Sequence, residues 1–385
     1  MKIGLVIENL SPERGGTEHW TWQFALWLIK AGHEVHVVAG GFAAGIEQRG
    51  IIAHLIEAGK SRIEFAQAAE RRIDSLSLDV VHDMGCGWHC DVFQPHGGSR
   101  MAAFEQNLLL LPKWLRPLKR STARWLPRYR EFRQLMMGQY MADDRVFIAL
   151  SRMVARDFER YHGVRRDQLR LVYNGVDVER FSPEHRWKYR QVVRDELQVG
   201  DDETLLLIVA HNFRLKGVPT LLGAAGRLIA EGRRVRLAVV GGKRRRSFSQ
   251  LAERLGAAEA TTFVGPVDDA APYYAAADVY VQPTYYDPCS LVLLEAMASG
   301  LPVVTSRYNG AGELIAEGVE GSIVDDPGDI DELTARLRPL LDAEVRARMS
   351  SAARQLALEH SLDRNCRELL AVYEEMAARR KRKAA

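Results

Sequence analysis

The sequence predicts an α/β protein with two domains of similar build, each formed around a parallel β-sheet. Short apolar runs, typical of strands buried on both faces, alternate with helical segments from Ile3 onward and again from Thr204 onward. A length of 385 residues favours two domains over one continuous core. Two such series in succession predict two Rossmann-like domains that face a central cleft.

The first domain begins with a β-α-β unit. Residues Ile3–Ile7 form an apolar run suited to a buried parallel strand, and Val35–Ala39 form the next one. We expect Thr17 to be the N-cap of the helix between them. Gly15 and Gly16 lie in the loop at the carboxyl end of the first strand, where the lack of side chains lets a ligand approach the backbone. A plain turn is the alternative.

We predict a first domain over residues 1–182 and a second over residues 183–362. The boundary is placed in the polar stretch that follows the turn Asn174–Asp177. Residues 363–385 are expected to form a helix that crosses back to the first domain and ends in a basic tail.

Composition excludes several classes of protein. A hydrophobic content of 47% and a charged content of 27% are typical of a globular protein, and no apolar stretch is long enough to span a bilayer. The four scattered cysteines and a strand pattern in place of a signal peptide favour the reducing cytoplasm.

Cys86, His89 and Cys90 raise the question of zinc, but no second ligand pair follows at zinc-finger spacing. We therefore predict no metal and no cofactor.

The segment with the most chemical information runs from Tyr285 to Val304. A strand ends near Pro283, and Ser290 helps to open a helix whose free N–H groups suit a diphosphate. Asp287, in the loop before that helix, is able to accept hydrogen bonds from sugar hydroxyls. Glu295, about two turns into the helix, is able to bind two hydroxyls of a ribose. On spacing alone, a helix with a capping acid and a solvated glutamate fits equally well.

This segment resembles the paired-acid signature of the retaining glycosyltransferases of family 4, which have the GT-B fold. The signature is an acid, seven residues and a glutamate, followed by a helix that ends in Gly-x-Pro-Val, and Asp287 and Glu295 have that spacing. The family usually has glutamate at the first position, where this sequence has the shorter aspartate. The resemblance implies a donor-binding segment that includes Cys289, Ser290 and Leu291.

The resemblance also implies a cationic partner for the donor's diphosphate. Lys216 matches the family's lysine, whereas the family's arginine, a few residues earlier, falls on Ala210 or His211 here, so we expect Arg214 to replace it. A fixed pair of cations would stabilise the departing nucleotide without a metal. Val264 lies in the strand and loop that, in the family, hold the base through backbone groups.

In the first domain the resemblance singles out a histidine. His96 matches the residue expected to contact the donor hexose, and its neutral imidazole is able to donate and to accept a hydrogen bond. His82 is the rival candidate, and a buried structural histidine is the alternative for either. Gly15 and Gly16 match the family's glycine loop near the donor phosphate and the acceptor. The residues expected to take part in catalysis are therefore His96, Asp287, Arg214 and Lys216.

A basic segment rich in aromatic residues interrupts the first domain at about residues 105–135. Residues 113–133, here called the basic insertion, contain eight Lys or Arg against one acid, Glu131, and include Trp114 and Trp125. This composition suits the headgroup region of an anionic bilayer. A solvated basic helix is the alternative. Nucleic acid could bind to the same positive charge, but the surrounding motifs favour sugar chemistry, so we expect no nucleic-acid partner. Similar insertions occur in family 4 enzymes that act on lipid-linked glycans, and the layout is closest to the lipopolysaccharide core glucosyltransferases.

Taken with this resemblance, the sequence predicts a metal-independent hexosyltransferase that retains the anomeric configuration. A UDP-sugar, UDP-glucose by preference, is the expected donor. A lipid-linked glycan such as lipopolysaccharide core is the expected acceptor, reached from the inner face of the cytoplasmic membrane. No acid is available as a nucleophile, so we expect a same-face displacement in which the departing phosphate takes the acceptor's proton. The alternatives are a sugar-nucleotide 2-epimerase on the same fold and a non-catalytic, membrane-associated binding module.

Overall fold

The structure is a computed structural model that describes residues 1–57, 59, 61–123, 125–141, 144–242 and 245–384. The chain divides into two compact units. The first unit comprises Met1–Tyr173 together with Asp363–Ala385, and the second comprises Asn174–Leu362. Arg124, one of the eight basic residues of the basic insertion, lies outside the described residues.

The first unit is built on a seven-stranded parallel sheet. Its strands are β1 (Lys2–Ile7), β2 (Glu34–Ala39), β3 (Ile52–Leu55), β4 (Val80–Asp83), β5 (Val92–Phe93), β6 (Val146–Ala149) and β7 (Leu169–Leu171). They lie in the order β3-β2-β1-β4-β5-β6-β7, and every neighbouring pair is parallel. The strand order reverses at β1, which has β2 on one side and β4 on the other. The helices of this part of the chain are α1 (Gly16–Lys30), α2 (Arg62–Asp74), α3 (Arg100–Leu109), α4 (Leu115–Ala123), α5 (Pro127–Tyr140) and α6 (Arg152–His162).

Helix α1 begins earlier than the sequence predicts. Its N-cap is Gly15, with fully extended backbone at φ 179° and ψ 178°, and not Thr17. Thr17 lies inside the first turn, where its carbonyl oxygen accepts a hydrogen bond of 2.8 Å from the hydroxyl of Thr21. The prediction failed because threonine is a common N-cap, whereas the two glycines before it leave no side-chain signal for the true start.

The second unit repeats the architecture with six strands. They are β8 (Thr204–Val209), β9 (Val235–Val240), β10 (Thr261–Gly265), β11 (Val279–Gln282), β12 (Val303–Ser306) and β13 (Gly321–Val324). They lie in the order β10-β9-β8-β11-β12-β13, and all pairs are parallel. The strand order reverses at β8. The helices are α7 (Arg186–Glu196), α8 (Val218–Ala230), α9 (Arg245–Arg254), α10 (Ala271–Ala276), α11 (Leu291–Ala298), α12 (Ile330–Leu337) and α13 (Ala343–Glu359). The two parallel sheets confirm the predicted α/β class.

The last helix, α14 (Leu362–Ala384), packs in the first unit. The indole N–H of Trp20 donates a 3.0 Å hydrogen bond to Asn365 Oδ1, and the fully buried Tyr373 pairs through its hydroxyl with His82 Nδ1. Arg380 forms an ion pair of 2.8 Å with Asp91. Within the described residues, no helix has both the length and the apolar character that a membrane span requires.

The units divide after Tyr173, before the predicted boundary between residues 182 and 183. The segment from Asn174 onward is bonded into the second unit: Asn174 Nδ2 donates to the carbonyl of Cys289 over 2.7 Å. Arg354 donates to the carbonyls of Val178 and Phe181 over 3.0 and 2.9 Å. The polar composition that suggested a linker therefore belongs to a segment whose backbone groups are paired within the second unit.

A buried charge cluster ties helix α7 to the sheet of the second unit. Asp278, directly before β11, accepts hydrogen bonds from Arg190 at 2.7 Å, Arg194 at 3.0 Å and the amide of Leu205 at 2.8 Å. Its side chain is 5% exposed and that of Arg194 is 3% exposed. Burial alone would raise the pKa of Asp278, but Arg190, the Leu205 amide and Arg194 together lower it.

Replacing this carboxylate should destabilise the second unit. Asp278→Asn keeps the shape but leaves two largely buried guanidinium groups without a counter-charge, so we expect the free energy of unfolding to fall by about 3–5 kcal/mol at pH 7, measured by urea denaturation. The difference should vanish as the pH falls through the lowered pKa of Asp278, where the wild-type carboxylate is also neutral. Glu231→Gln, which removes an exposed pair with Arg338, should leave stability nearly unchanged. Equal losses in the two variants would contradict the assignment.

Candidate functional site

The loops that follow β8 and β11 meet at the edge of the second sheet where the strand order reverses. Adjacent parallel strands end at the same edge, and this edge is where α/β sheets bind ligands. The carbonyl of Leu215 accepts hydrogen bonds from the amide of Tyr285 at 2.8 Å and from the hydroxyl of Thr284 at 3.1 Å. Gly217 caps α8 at φ 78°, and a Cβ there would lie 2.1 Å from the carbonyl oxygen of Pro283. Only glycine permits this approach of the two loops.

The contact between the loops places Lys216 beside Asp287. Lys216 Nζ lies 2.5 Å from Asp287 Oδ2, and the two side chains are 21% and 12% exposed. The ammonium has three N–H donors, so it is able to donate to a second anionic group while it stays paired. Arg214 lies in the same turn and is exposed, and no hydrogen bond or ion pair of its guanidinium is found within the described residues.

The backbone of Asp287 is held by a second segment. Its amide donates to the carbonyl of Tyr308 at 2.9 Å, and its carbonyl accepts from the amide of Gly310 at 2.8 Å. These bonds form an isolated parallel bridge between Asp287 and Asn309. The carboxylate that faces Lys216 therefore stands on a loop fixed from two directions.

Helix α11 begins directly after this loop. Ser290 is its N-cap and Leu291 its first residue, and no side chain in the described part of the chain caps the helix. The hydroxyl of Ser290 donates instead to Gln282 Oε1 at 2.9 Å. Cys289 is buried, which raises the pKa of its thiol, and its carbonyl accepts from Asn174. The first-turn amides of α11, with the helix dipole behind them, are left as donors for an anion.

Glu295 is the fifth residue of α11, just over one turn from its start and not two turns as predicted. Its Oε2 accepts a hydrogen bond of 2.9 Å from the hydroxyl of Tyr274, which is fully buried. Burial raises the pKa of Glu295 to about 7, against the opposing effects of Tyr274 and Arg180. The carboxyl is therefore poised to change charge near neutral pH.

Val264 lies at a bulge in strand β10. Phe263 pairs with Val239 and Gly265 with Val240, so the register of the ladder shifts at Val264. The role of this backbone in holding the base of the donor stays a prediction.

The other predicted residues lie in the first unit. His96 follows β5, is partly buried, and packs against Trp20 with 4.6 Å between ring centroids. Burial lowers its pKa to about 3, so it is neutral near pH 7, and no partner of its Nε2 is found within the described residues. His82 is fully buried and bonded to Tyr373, which makes it a structural residue of the first unit. Gly15 and Gly16 lie at the start of α1, in the loop after β1.

The cysteine and histidine group considered for zinc is arranged differently. His89 pairs with Asp74 at 3.2 Å and with Glu70 at 3.8 Å. Cys86 and Cys90 pack against a hydrophobic cluster that includes Val81. Across the part of the chain that the structure describes, no group of three or more His, Cys, Asp or Glu is placed to hold a metal ion.

Three residues of the site were not found from the sequence: Tyr274, Gln282 and Asn309. Each reaches the donor segment from a different element, and no local spacing signals the contact. The dipeptide Asn309-Gly310 indicates a turn, but nothing in it indicates pairing with Asp287.

Comparison with known proteins agrees with this geometry. A profile described as "Glycosyltransferase Family 4" matches residues 14–180, and one described as "Glycosyl transferases group 1" matches residues 190–356. The chain is 35% identical over 229 residues to "D-inositol 3-phosphate glycosyltransferase 2" of Catenulispora acidiphila, covering 54% of this chain and 52% of that protein. It is 30% identical over 203 residues to the lipopolysaccharide glucosyltransferase WaaG of Escherichia coli, covering 52% and 54%. The chain thus spans about half the length of the curated relatives it matches.

Solved structures share the fold over nearly the whole chain. The crystal structure of WaaG has a TM-score of 0.81 at 22% identity and covers 96% of this chain and 99% of its own. The Anabaena protein HepE, in complex with UDP-glucose, has a TM-score of 0.71 at 19% identity and covers 97% and 100%. The solved structures and the two parallel sheets show the GT-B fold, and the two profiles, which together match residues 14–180 and 190–356, show that the chain belongs to the glycosyltransferases of family 4 and group 1.

Proposed function

We propose that this protein transfers a hexosyl group, with retention, from a nucleoside diphosphate sugar to a hydroxyl of a lipid-linked glycan. The ion pair between Lys216 and Asp287, directly before the uncapped start of α11, carries the proposal. It combines, within one unit, a cation and helix amides for a diphosphate with two carboxyl groups, Asp287 and Glu295, for sugar hydroxyls. UDP-glucose is the favoured donor, supported by the HepE complexes with UDP and UDP-glucose.

In the proposed reaction the donor's anomeric carbon–oxygen bond breaks as the acceptor oxygen attacks from the same face. The departing phosphate oxygen takes the proton of the acceptor hydroxyl, so no protein carboxylate forms a covalent intermediate. Lys216, with Arg214 in the same turn, stabilises the charge that develops on the nucleoside diphosphate, as do the first amides of α11. Asp287 and Glu295 orient the hexose and the ribose. His96 stays a predicted contact of the hexose from the first unit.

The basic insertion supports a membrane-bound acceptor. Trp114 and Trp125 are 74% and 73% exposed, and Leu118 and Leu126 are also exposed, on and beside helices α4 and α5. Its one acid, Glu131, accepts from the Ser61 hydroxyl at 2.8 Å and from the Arg62 amide at 2.7 Å. Exposed indoles beside basic side chains suit the interface of an anionic bilayer. Lipopolysaccharide core is the favoured acceptor, after the relative WaaG.

Transfer is tested by incubating the protein with UDP-, GDP- and ADP-sugars, each with lipid-linked core glycans or with inositol phosphate as acceptor. We expect transfer from UDP-glucose to the lipid-linked acceptor, with the anomeric configuration retained in the NMR spectrum of the product. Lys216→Ala should lower kcat about 100-fold or more, because a cation that stabilises the leaving group is lost. Lys188→Ala, at an exposed lysine of the same unit, is the matched control.

Three results would overturn this function. An inverted product would exclude the same-face displacement. A converted sugar nucleotide formed without any acceptor would indicate the epimerase. Vesicle binding without transfer or donor hydrolysis across the whole panel would indicate the binding module.

The ionised carboxylate of Glu295 should lower the stability of the folded protein and strengthen donor binding. Its pKa of about 7 lies above the ordinary value of 4.5, so its ionisation costs stability at pH 8 and nothing below about pH 4.5. Glu295→Gln should therefore raise the free energy of unfolding at pH 8, by about 3 kcal/mol at most, and leave it unchanged at pH 4.5. The same variant should bind the nucleotide more weakly, and wild-type affinity should rise as the pH increases through 7, measured by calorimetry. Glu253→Gln, at an exposed position, should change neither property; unchanged nucleotide affinity in Glu295→Gln would contradict the ribose assignment.

The basic insertion should bind anionic vesicles in a salt-dependent way. We expect sedimentation with vesicles of phosphatidylcholine and phosphatidylglycerol, weak binding to phosphatidylcholine alone, and release at high salt. The double variant Trp114→Ala/Trp125→Ala should bind about 10-fold more weakly, because two interfacial indoles are lost. Trp187→Ala is the matched control, since Trp187 is 85% exposed in the second unit. Equal binding to neutral vesicles, or an equal loss in the control, would contradict the assignment.

A further inference from the structure

Asn309 is a buried asparagine that joins three segments of the candidate donor site. It is 1% exposed, and its side chain makes four hydrogen bonds. Oδ1 accepts from the amides of Ser290 at 3.3 Å and Ala311 at 3.2 Å. Nδ2 donates to Gln282 Oε1 at 3.3 Å and to Thr305 Oγ1 at 3.0 Å. Because two of the partners are backbone N–H groups, the orientation of the amide is fixed.

The isolated β-bridge between Asn309 and Asp287 connects the segment around Asn309 to the loop that carries the Asp287 carboxylate. The amide of Asp287 donates to Tyr308, and the amide of Gly310 donates back to Asp287, so the residues on both sides of Asn309 hold the Asp287 backbone. The Asn309 side chain then holds Ser290, three residues further on. Both ends of the loop between the carboxylate and helix α11 are thus attached to the segment Tyr308–Gly310: Asp287 to the backbone on either side of Asn309, and Ser290 to the Asn309 side chain.

The same hydrogen bonds affect the start of helix α11. A serine at an N-cap ordinarily accepts a hydrogen bond from an amide of the first helical turn. Ser290 makes no such bond, and its hydroxyl is instead directed at Gln282 Oε1, to which it donates at 2.9 Å; the same oxygen accepts from Asn309 Nδ2. The Asn309–Gln282 pair therefore keeps the serine from occupying the amides that an anion would use.

We propose that Asn309 is a positioning residue for donor binding, whose side chain keeps the first-turn amides of α11 open. This inference rests on the proposed function, because it assumes that the amides bind the donor's diphosphate. Asn309 is assigned no contact with the substrate, because it is 1% exposed and its side chain is bonded to four protein groups. Without it, Ser290 is free to turn and cap its own helix, in direct competition with the phosphate.

The test measures nucleotide binding to the full chain by calorimetry, with UDP, GDP and ADP, and continues with the one that binds wild type most tightly. Asn309→Ala should bind it about 10-fold more weakly, the cost of displacing a serine cap. The loss should fall mainly on the KM for the donor, with a smaller change in kcat. Gln282→Met, which keeps the volume but removes the acceptor of the Ser290 hydroxyl, should weaken binding in the same way and serves as a second variant if Asn309→Ala does not fold.

A double variant separates this mechanism from a general loss of structure. In Asn309→Ala/Ser290→Ala no hydroxyl remains to cap α11, so nucleotide affinity should recover most of the loss. Ser290→Ala alone is the reference for the double variant: the two should bind the nucleotide with equal affinity, because neither has a hydroxyl at position 290 that is able to cap α11. Thr334→Val removes a different buried hydrogen bond of the same unit, to the carbonyl of Ile330, and should not alter affinity.

Each outcome decides between the proposals. Wild-type affinity in Asn309→Ala, or a double variant that binds no better than Asn309→Ala, would overturn the positioning role and leave the transferase function standing. A wild-type protein that binds none of the three nucleotides would overturn both.

Discussion

The candidate site depends on the close approach of two loops that leave neighbouring strands of the second sheet. Strands β8 and β11 lie side by side at the point where the strand order reverses, so their following loops leave the same edge. At Gly217 the chain passes so near to Pro283 that no side chain fits, and the carbonyl of Leu215 binds the opposite loop twice. The ion pair of Lys216 and Asp287 follows from this backbone contact.

Several groups around this contact lower the stability of the folded protein. The carboxyl of Glu295 is buried enough to raise its pKa to about 7, and helix α11 starts without a side-chain cap. A protein selected for stability alone would have a neutral residue in place of Glu295, and Ser290 would cap helix α11. That both features occur in one eleven-residue segment, Tyr285–Glu295, is typical of a site whose interactions are completed by a ligand.

Much of the fold could be predicted because strands buried on both faces have a distinct apolar pattern. The α/β class and the two parallel sheets followed from that pattern. The start of α1 at Gly16 could not be predicted from the sequence, because glycines have no capping side chain. The division of the units after Tyr173 could not be predicted either, because polar composition does not show where backbone groups are bonded. Boundaries depend on such tertiary pairing more than on local sequence.

The residues of the candidate site also fall into those that the sequence indicates and those that it does not. The spacing of the family signature singles out Asp287 and Glu295, and the match to the family's lysine singles out Lys216. Their roles stay predictions, but the structure places Lys216 against Asp287. Tyr274 and Asn309 could not be predicted, because each reaches the segment from a distant element and their partners are set only by the folded sheet. Residues that position a site through buried hydrogen bonds have no period or motif of their own. Local sequence reasoning therefore finds the groups that a ligand would touch more readily than those that hold them.

The aspartate at position 287 is better understood from this arrangement than from the sequence. Its backbone is fixed by Tyr308 and Gly310, and Lys216 Nζ lies 2.5 Å from its carboxylate. A glutamate on the same backbone would extend by one further carbon–carbon bond, about 1.5 Å, into the space that the lysine occupies. The shorter acid and the position of the lysine are therefore matched to each other. Any difference in the choice of donor sugar from relatives with glutamate should be sought in this pair and not in the acid alone.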